Sequence, residues 1–593
     1  MTCADVLLAY QQRIEQINAL VARLELRQGT ALAVLVLTVA TAAVFSFFAF
    51  SRRALPVWYP PLTLPVAVVS LRKYSRQRLQ LSRFFRLRRF YGHGVERLED
   101  RWIDNGISGK EFEKPNHIYA ADLNLFGRGS LFQRLCTART HLGCERLAHY
   151  LQEPVGREEV LRRQAAVREL AGRTDLREKL AILGRYDFEQ SRWQTFMEWL
   201  DSPPAQFEPW LRLATLIGST VLGALSLVVA AHPPIWPVLL PAIWRVAAAN
   251  ALVGLWLQKR VRRVLKAAAP VASEIALMRE GLKLLAGEQF VSPKLVELTT
   301  RAAPADDGIR RLKPWLTILE ERTKDWFYLP SLWLLMGTQA ALAVESWRLR
   351  HRRDLRNWLD AWAEFEALNS LACYAHESPE DCWPVVEEGG ACFHAEALGH
   401  PLIPREICVR NDVTLGDAYR FCVLSGSNMS GKSTLLRCIG TTAVLAFAGA
   451  PVRGRSLRIA LMRIGASVAI ADSLAEGKSK FLAEVERLRE ILQVSSAGPV
   501  LFLVDEIFSG TNSPDRRVAA EAVARTLVER GAIGAISTHD IALAAIAVHQ
   551  GANLHMGSRE NASSPLNFDY TLKPGITTES SALAIARMVG VPV

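Results

Sequence analysis

Long apolar runs divide the chain before any motif is considered. Residues 31–50 carry no charged side chain, a second apolar run follows at 54–71, and two more lie at about 211–231 and 235–257. About twenty apolar residues in a helix span the roughly 30 Å of a bilayer's hydrocarbon layer. The pattern therefore predicts two transmembrane helical hairpins, one over 29–72 and one over 209–258, the second inserted within a longer helical region.

Weaker apolar patterns accompany these runs. Residues 1–28 place apolar side chains at helical spacing, which predicts an amphipathic cytoplasmic helix. The run 329–344 is short and contains Gln339, so we expect a buried helix and not a fifth span. The fourth span carries Arg245 and Asn250, and Arg245 is expected to snorkel or to face a partner helix.

Charges beside the apolar runs orient them. The segment 72–89 holds eight basic and no acidic side chains, and the segment 259–266 holds five basic and no acidic ones. Basic residues are retained on the cytoplasmic side of a membrane. We therefore expect a multi-pass protein of the cell membrane, with residues 72–208 and 258–593 in the cytoplasm. Arg52 and Arg53, at the opposite end of the first hairpin, oppose this orientation but are outnumbered.

Composition narrows the class of protein. The 593 residues include 71 Lys and Arg against 59 Asp and Glu, which gives a net charge of +12. Hydrophobic residues make up 50% of the chain, and this content excludes a disordered protein. Such a surplus suggests a nucleic-acid surface, but the two basic segments beside the spans account for all of it. The nine cysteines include no CxxC pair, so reduced, buried thiols are expected and not a zinc site.

The clearest chemical motif is a phosphate-binding loop. The apolar run 421–425 leads into the pattern GxxxxGKS, and a helical pattern follows. Glycines let backbone N–H groups turn inward around phosphates. Lys432 would reach the β- and γ-phosphates, and Ser433 would ligate Mg²⁺. The predicted nucleotide-binding residues are Gly426, Ser427, Asn428, Met429, Ser430, Gly431, Lys432, Ser433 and Thr434.

Two later apolar runs end in residues suited to catalysis. The run 500–504 is followed by Asp505 and Glu506, and buried parallel strands present their functional residues at their carboxyl ends. Asp505 suits Mg²⁺, and Glu506 suits a base that accepts a proton from, or orients, an attacking water. A third run, 533–538, precedes His539, which could contact the γ-phosphate; taken alone, this histidine could equally be non-functional.

The spacing of these motifs fits an ABC-type ATPase, in which two copies commonly complete each other's sites. Gly477 and Ser479 lie in a turn that opens a helix, and they would offer donors to a γ-phosphate held by the partner. An ordinary surface turn is the alternative. The sequence thus predicts a homodimer through the ATPase domain, with ATP and Mg²⁺ as cofactors.

The same region resembles the MutS family. The matching segments are GSNMSGKST (426–434), RIGASVAIADSLAEGKSKF (463–481), LVDEIFSGTNSPD (503–515), STHD (537–540) and the tail 566–592, and upstream segments at 122–154 and 364–386 resemble the family's core and lever. The resemblance implies an α/β P-loop ATP hydrolase domain that follows a mostly helical core and lever domain. It also implies dimerisation and engagement of DNA.

Departures from the family pattern shape the expected protein. Only about 45 residues separate Arg72 from the core, too few for the mismatch-reading domain. Lys480 and Arg516 replace a Thr and a Gly of the family motifs. We therefore expect a divergent, membrane-anchored member. The predicted divisions are 1–28, the hairpin 29–72, a basic juxtamembrane linker 73–121, core 122–208, the hairpin 209–258, core and lever 259–398, and ATPase domain 399–593.

Two functional hypotheses stay open from the sequence. In the first, ATP-dependent dimers clamp DNA near the membrane; in the second, ATP drives a membrane switch or scaffold that acts on an unknown protein or lipid partner. Two basic segments bear on the choice. The run 83–91 could stack on single-stranded bases or bind anionic lipid. The arginines at 348, 350, 352, 353 and 356 could bind nucleic acid or form a solvated helix face.

Overall fold

The computed structural model shows a helical region followed by an α/β region. It describes residues 2–52, 56, 58–183, 197–205, 207–268, 272–321, 331, 333–427, 429–469, 479–509, 512–548, 550–558 and 568–576. Within these, the helices before the sheets are α1 Cys3–Ser46, α2 Leu64–Leu98, α3 Leu131–Leu135, α4 His141–Gln152, α5 Arg157–Ala171, α6 Thr174–Ala181, α7 Pro209–Ala231, α8 Trp236–Ala268, α9 Ala272–Gly287, α10 Pro293–Ala302, α11 Ala305–Arg310, α12 Lys313–Glu321 and α13 Met336–Glu377.

The N-terminal hairpin is longer than the sequence predicted. The amphipathic stretch 1–28 and the first apolar run form one helix, α1, which Thr2 caps by accepting a hydrogen bond from the backbone N–H of Asp5 at 3.2 Å. Helix α2 packs along it, with Tyr10 edge-on to Tyr91 at 5.0 Å between ring centroids. The segment predicted as a basic linker is thus largely helical, because its apolar side chains bury against those of α1.

The second arm of this hairpin also differs from the prediction. In the described part of the apolar run 54–71, a proline-containing 3-10 turn occupies Pro60–Thr63 and α2 begins only at Leu64. Among the described residues, three helical segments are long and apolar enough to cross a membrane: Cys3–Ser51, Trp210–Ala231 and Trp236–Ala267. The last two form the inserted hairpin.

Ion pairs fix the base of the N-terminal hairpin to the helical core. Arg13 of α1 pairs with Glu178 of α6 at 2.7 Å, and the hydroxyl of Tyr91 donates to the same carboxylate at 2.7 Å. Arg97 of α2 pairs with Glu377 at the end of α13 at 2.6 Å, where both side chains are nearly buried. The hairpin is therefore attached to the helix that leads into the first sheet.

Helix α13 runs through the centre of the helical region. The apolar run 329–344 enters it at Met336, and Ala340, Ala341 and Val344 are buried, in agreement with the expected buried helix; residues 329, 330 and 332 lie outside the described part. At about 1.5 Å per residue its 42 residues extend over roughly 63 Å. It therefore reaches from the inserted hairpin to the α/β region.

The arginine-rich part of α13 is not an open basic surface. Arg348 is buried, pairs with Glu345 at 2.7 Å, and donates to the backbone carbonyls of three residues, Trp199, Leu200 and Ser202. Arg352 and Arg356 both contact Asp201. Three of the five arginines therefore bind residues 199–202, which argues against the nucleic-acid interpretation for them, and Arg350 and Arg353 remain exposed.

The aromatic and basic run 83–91 is likewise built into the fold. Leu87 and Tyr91 are buried against α1, and Phe84 and Phe90 pack on the same cluster. Phe85 remains half exposed beneath the guanidinium of Arg88, 5.2 Å from the ring centroid. Because its rings are used for packing, the run does not offer a stacking platform for bases.

Two sheets form the C-terminal region. The strands are β1 Val385–Glu387, β2 Phe393–Leu398, β3 Asn411–Leu415, β4 Phe421–Ser425, β5 Ser456–Ala460, β6 Arg463–Ser467, β7 Val500–Val504, β8 Ile533–Thr538, β9 Gly551–Ser558 and β10 Phe568–Pro574. The four-stranded sheet has the order β1-β5-β2-β3 and the six-stranded sheet the order β10-β9-β4-β8-β7-β6. Helices α14 Lys432–Ala448, α15 Lys480–Ser495 and α16 Ser513–Glu529 accompany them.

The six-stranded sheet decides where the site lies. Strands β9, β4, β8, β7 and β6 are parallel, and β10 pairs antiparallel with β9. Strands β4, β7 and β8 are fully buried, which explains their uninterrupted apolar sequences. Because these three are neighbours, the segments after Ser425, Val504 and Thr538 meet at one edge.

A segment from the helical region is built into this domain. Asp122 is buried, and its Oδ1 accepts hydrogen bonds from the backbone N–H groups of Val468 at 2.6 Å and Ala469 at 2.8 Å. Its backbone carbonyl accepts from Nε of Arg437 in α14 at 3.0 Å. These bonds connect the residues after β6 and the helix after the phosphate-binding loop directly to the core.

Candidate nucleotide-binding site

The loop after β4 needs glycine at two positions. Gly426 has φ 150° and Gly431 has φ 98°, backbone conformations that residues with a Cβ atom rarely adopt. A Cβ on Gly426 would lie 2.8 Å from Oγ of Ser430. Ser430 Oγ is buried and has no hydrogen-bond partner within the described structure. The loop therefore forms a tight cradle with a spare hydroxyl donor, as phosphate binding requires.

Lys432 lies at the start of α14 and folds back over this loop. Its Nζ donates to the backbone carbonyls of Gly426 and Ser427, each at 2.8 Å. Burial lowers the pKa of Lys432, and the nearby carboxylates of Asp505 and Glu506 partly offset that effect. The ammonium is thus poised between the loop and the acidic residues.

The acidic residues and the histidine come together as the strand order requires. The hydroxyl of Ser537 donates to Oδ1 of Asp505. The backbone N–H of Glu506 donates to the carbonyl of Ser537 at 3.1 Å, and Glu506 has φ 51°, a strained conformation for this residue type. Nδ1 of His539 lies 3.4 Å from Oε1 of Glu506. Strands β7 and β8 thus hold Asp505, Glu506 and His539 at one edge.

A cavity of about 740 Å³ opens beside the loop. Met429, Gly431, Lys432, Ser433, Thr434 and Glu506 line its polar end. Its other walls include Leu398, His400, Ile403, Ile407, Val409, Met556 and Tyr570. The sequence did not assign these residues to the site. They come from three separate stretches of chain, so spacing alone gave no signal; only the tertiary fold brings them together.

Other predicted residues lie apart from this cavity. Ser479 caps α15, its Oγ accepting from the backbone N–H of Leu482 at 3.3 Å, and it does not line the cavity of its own chain. Asn428 and Gly477 lie outside the described residues, as do residues 577–593 of the tail. Ser427 contacts Lys432 through its carbonyl.

The unusual Arg516 has a defined structural use. Its Nε donates to the backbone carbonyl of Ile507 at 2.7 Å, and the side chain is buried. The carboxylate of Glu484, whose pKa burial raises, accepts from the backbone N–H of Phe508 in the same loop. The arginine that replaces a glycine therefore supports the loop after Glu506.

His400 on the cavity wall predicts acid sensitivity. Its Nδ1 accepts a hydrogen bond from the backbone N–H of Leu402 at 3.2 Å, and burial lowers its pKa to about 4. The unfolded chain would bind this proton near pH 6.5. Between pH 6.5 and about 4 the unfolded state therefore holds more protons, so stability falls as pH falls, by about 3 kcal/mol in total from this residue.

The measurement compares the free energy of unfolding at several pH values in wild type and His400→Asn. The variant lacks the titrating ring, so its stability should vary less across this range. Burial also lowers the pKa of His376 to about 4. Because His376 is present in both proteins, it contributes equally to the slope of the free energy of unfolding against pH in each. Equal slopes in the two proteins would show that His400 is not buried in its neutral form.

ATP with Mg²⁺ fits the residues present. The glycine cradle, the lysine and the spare Ser430 hydroxyl suit phosphates, and the cavity has room for a nucleoside. Ser433 and Asp505 supply two oxygen ligands, as Mg²⁺ prefers when phosphates and water complete its shell. Within the described residues no group of three or more His, Cys, Asp or Glu side chains could hold a metal alone.

Comparisons with known proteins agree with this geometry. Residues 422–593 match the sequence profile of MutS domain V. The DNA mismatch repair protein MutS of Thermus aquaticus is 37% identical over 284 residues, which is 46% of this chain and 33% of that protein. The DNA mismatch repair protein MutS 2 of Halobacterium salinarum is 30% identical over 312 residues, 51% of this chain and 33% of that protein. The chain spans about a third of the length of these relatives. By its domain V, the C-terminal part of this chain belongs to the MutS family.

Proposed function

We propose that this protein is an ATP hydrolase of the MutS type that works as a homodimer anchored in the cell membrane. The observation that carries the proposal is the convergence of Lys432, Asp505, Glu506 and His539 at one sheet edge beside a cavity of nucleotide size. No single motif would be sufficient, but their common location matches the requirements of phosphoryl transfer to water.

Each residue has a proposed role in this reaction. Residues 426–434 hold the phosphates, and Ser433 and Asp505 hold Mg²⁺, which would neutralise charge on the phosphates. Glu506 orients the attacking water or accepts its proton. His539, in contact with Glu506, reports whether the γ-phosphate is present. Gly477 and Ser479 act in the site of the partner subunit.

Membrane anchoring is supported by the exposed apolar side chains of the hairpins. In α1, α7 and α8, residues such as Leu37, Leu213 and Leu252 are more than 60% exposed, which is unfavourable in water. Basic side chains flank these helices on the side of the core. We therefore place the core and the ATPase domain in the cytoplasm.

The inserted hairpin is joined to the ATPase domain through α13. Oγ of Ser219 donates to the carbonyl of Leu334 at 2.7 Å, and Nε2 of Gln339 donates to the same Oγ at 2.8 Å. The other end of α13, at Glu377, lies eight residues before β1. This connection favours a second candidate function, an ATP-driven membrane switch that acts on a protein or lipid partner without nucleic acid.

Engagement of DNA is proposed from the relatives alone. Both relatives named above are described as DNA mismatch repair proteins. In this chain three of the five arginines at 348–356 contact Asp201, Glu345 or backbone carbonyls. Arg350 and Arg353 are exposed, so a DNA-binding surface on this helix would have to use these two.

The test measures ATP hydrolysis by the full-length protein in detergent and in lipid vesicles. It is run without DNA and with homoduplex, mismatched, branched and single-stranded DNA, and Lys432→Ala serves as the inactive control. DNA-stimulated hydrolysis with salt-dependent binding would support the DNA function. A flat response to every DNA, together with a changed rate in vesicles, would support the membrane switch. Equal activity of wild type and Lys432→Ala would refute the ATP hydrolase proposal.

A further inference from the structure

The inserted hairpin carries its own scale of depth. At the end next to the core, Trp210 and Trp256 are exposed. Arg260 pairs there with Glu208 at 3.7 Å. Tryptophan and arginine are typical of the boundary between a bilayer and water on the cytoplasmic side. From Trp210, α7 rises about 32 Å to its end at Ala231, which matches the roughly 30 Å of a hydrocarbon layer. A position along α7 therefore gives a depth in the membrane.

The segment that leads into α13 packs along α7 far from the core end. Nε1 of Trp333 donates to Oγ of Ser226 at 3.4 Å. A Cβ on Gly223 would lie 3.7 Å from Cδ2 of Leu334, so the two segments are in direct contact. Ser226 lies about 24 Å along α7 from Trp210. Trp333 is therefore placed about three quarters of the way across the hydrocarbon layer.

The other arm of the hairpin contacts the same segment. The ring of Trp333 lies edge-on to that of Trp244 in α8, with 6.5 Å between the centroids. A Cβ on Gly254 would lie 3.2 Å from Cδ2 of Leu335. Glycines on both arms thus allow the close approach that is common between helices in membranes.

The backbone of this segment is irregular, and side chains of the bundle satisfy it. Leu335 has φ 49°, so the chain turns sharply just before α13 begins. Oγ of Ser219 donates to the carbonyl of Leu334 at 2.7 Å, and Nε2 of Gln339 reaches the same carbonyl at 3.3 Å. At membrane depth, non-helical backbone persists only where it is buried in protein or lines a water-filled cavity. This requirement explains a serine and a glutamine within otherwise apolar runs.

Both flanks of the segment lie on the core side of the hairpin. Downstream, Ala341 packs with Leu211 at the core end of α7. Glu345 then accepts a hydrogen bond from the backbone N–H of Ala205 at 2.8 Å. Upstream, Trp315 of α12 packs on the helical core. The chain therefore enters and leaves the hairpin bundle from the same side.

We infer that residues 333–341 belong to a re-entrant segment, which enters the bilayer beside the inserted hairpin from the core side and does not cross it. The partner of its outer face is lipid hydrocarbon, because Trp333 is 40% exposed at the depth where Leu227 of α7 is exposed as well. The inference rests on the proposed membrane anchoring. Helix α13 then begins within the membrane and ends eight residues before β1, so a single helix connects the bilayer interior to the ATPase domain.

The experiment measures how often molecular oxygen and a nickel chelate collide with a nitroxide attached to Trp333→Cys. The full-length protein is reconstituted into phosphatidylcholine vesicles. Four partly exposed cysteines are first replaced by serine: Cys3, Cys136, Cys382 and Cys408. The other five are buried and should take up no label. The bilayer core holds oxygen but no water and therefore no chelate.

We expect the ratio of oxygen to chelate collisions at residue 333 to equal that on Leu227→Cys, the matched control at the same depth of α7. A nitroxide on Val291→Cys, which is 90% exposed on the helical core, should give a much lower ratio. If Leu227 shows the lipid ratio but residue 333 shows the aqueous ratio, or low collision rates with both molecules, the hairpin is in the membrane and the inference is overturned.

Failure of the proposed anchoring gives a different result. In that case the nitroxide at Leu227 shows the aqueous ratio of Val291, and the re-entrant segment is refuted together with the anchoring. Should Trp333→Cys fail to fold, Met336→Cys, which is half-buried on the same segment, decides by the same comparison. ATP hydrolysis is measured separately and does not enter this test.

Discussion

Glu506→Gln is expected to bind ATP as tightly as wild type and to hydrolyse it at least ~100-fold more slowly. The amide keeps the size of the side chain and its contact with His539, 3.4 Å away, but it cannot accept a proton from water. Since Lys432 and the phosphate-binding loop are untouched, nucleotide affinity should persist. Single-turnover hydrolysis and nucleotide binding, measured on the same preparation, check both parts of this expectation.

The same variant should accumulate as an ATP-bound dimer. If two subunits close on ATP and separate after hydrolysis, slow hydrolysis prolongs the closed state. Sizing by light scattering with and without ATP measures this. Glu521→Gln changes a half-exposed carboxylate of α16 that pairs with Arg525; it is the control and should behave like wild type. Hydrolysis at the wild-type rate by Glu506→Gln would remove Glu506 from the catalytic role.

Arg348→Ala should lower the free energy of unfolding by about 3–5 kcal/mol. The substitution leaves the carboxylate of Glu345 buried without its cation, and it leaves the carbonyls of Trp199, Leu200 and Ser202 without their shared donor. The loss should be much larger than for a surface arginine, because buried charges are costly when unpaired. Thermal unfolding of the full-length protein in detergent measures it.

Arg350→Ala is the matched control for this prediction. Arg350 lies two residues away on the same helix and is exposed, so its removal should change stability by no more than about 0.5 kcal/mol. If the two variants prove equally stable, Arg348 does not have the buried role assigned to it. If Arg350→Ala reduces DNA binding and Arg348→Ala does not, the exposed face of α13 would be part of a nucleic-acid surface.

The parts of the site that could be predicted are those encoded locally. The apolar runs 421–425, 500–504 and 533–538 match strands β4, β7 and β8, because fully buried parallel strands need uninterrupted apolar sequence. The residues that follow them are then placed by the rule that parallel strands present their carboxyl ends together. The proximity of Glu506 and His539 follows from that rule.

The parts that could not be predicted depend on contacts between distant segments. Tyr570 and His400 reach one cavity from opposite ends of the ATPase domain, and their spacing in sequence carries no signal of this. The basic stretch after residue 72 resembled a linker, because its many charged residues obscure in the sequence the apolar positions that pack on α1. Arg348 resembled a surface residue until the fold placed Glu345 and three carbonyls around it.

The hydrogen bonds of Asp122 have a consequence for how the protein can be divided. One continuous apolar core runs from residues such as Leu123 and Phe132 through α13 to Leu436 and Leu503. Cutting the chain before residue 399 would therefore expose the apolar face that Leu123 covers, and would remove the acceptor for Val468 and Ala469. An isolated ATPase fragment should aggregate or unfold at low temperature, whereas the intact helical core and ATPase domain should unfold in one cooperative transition.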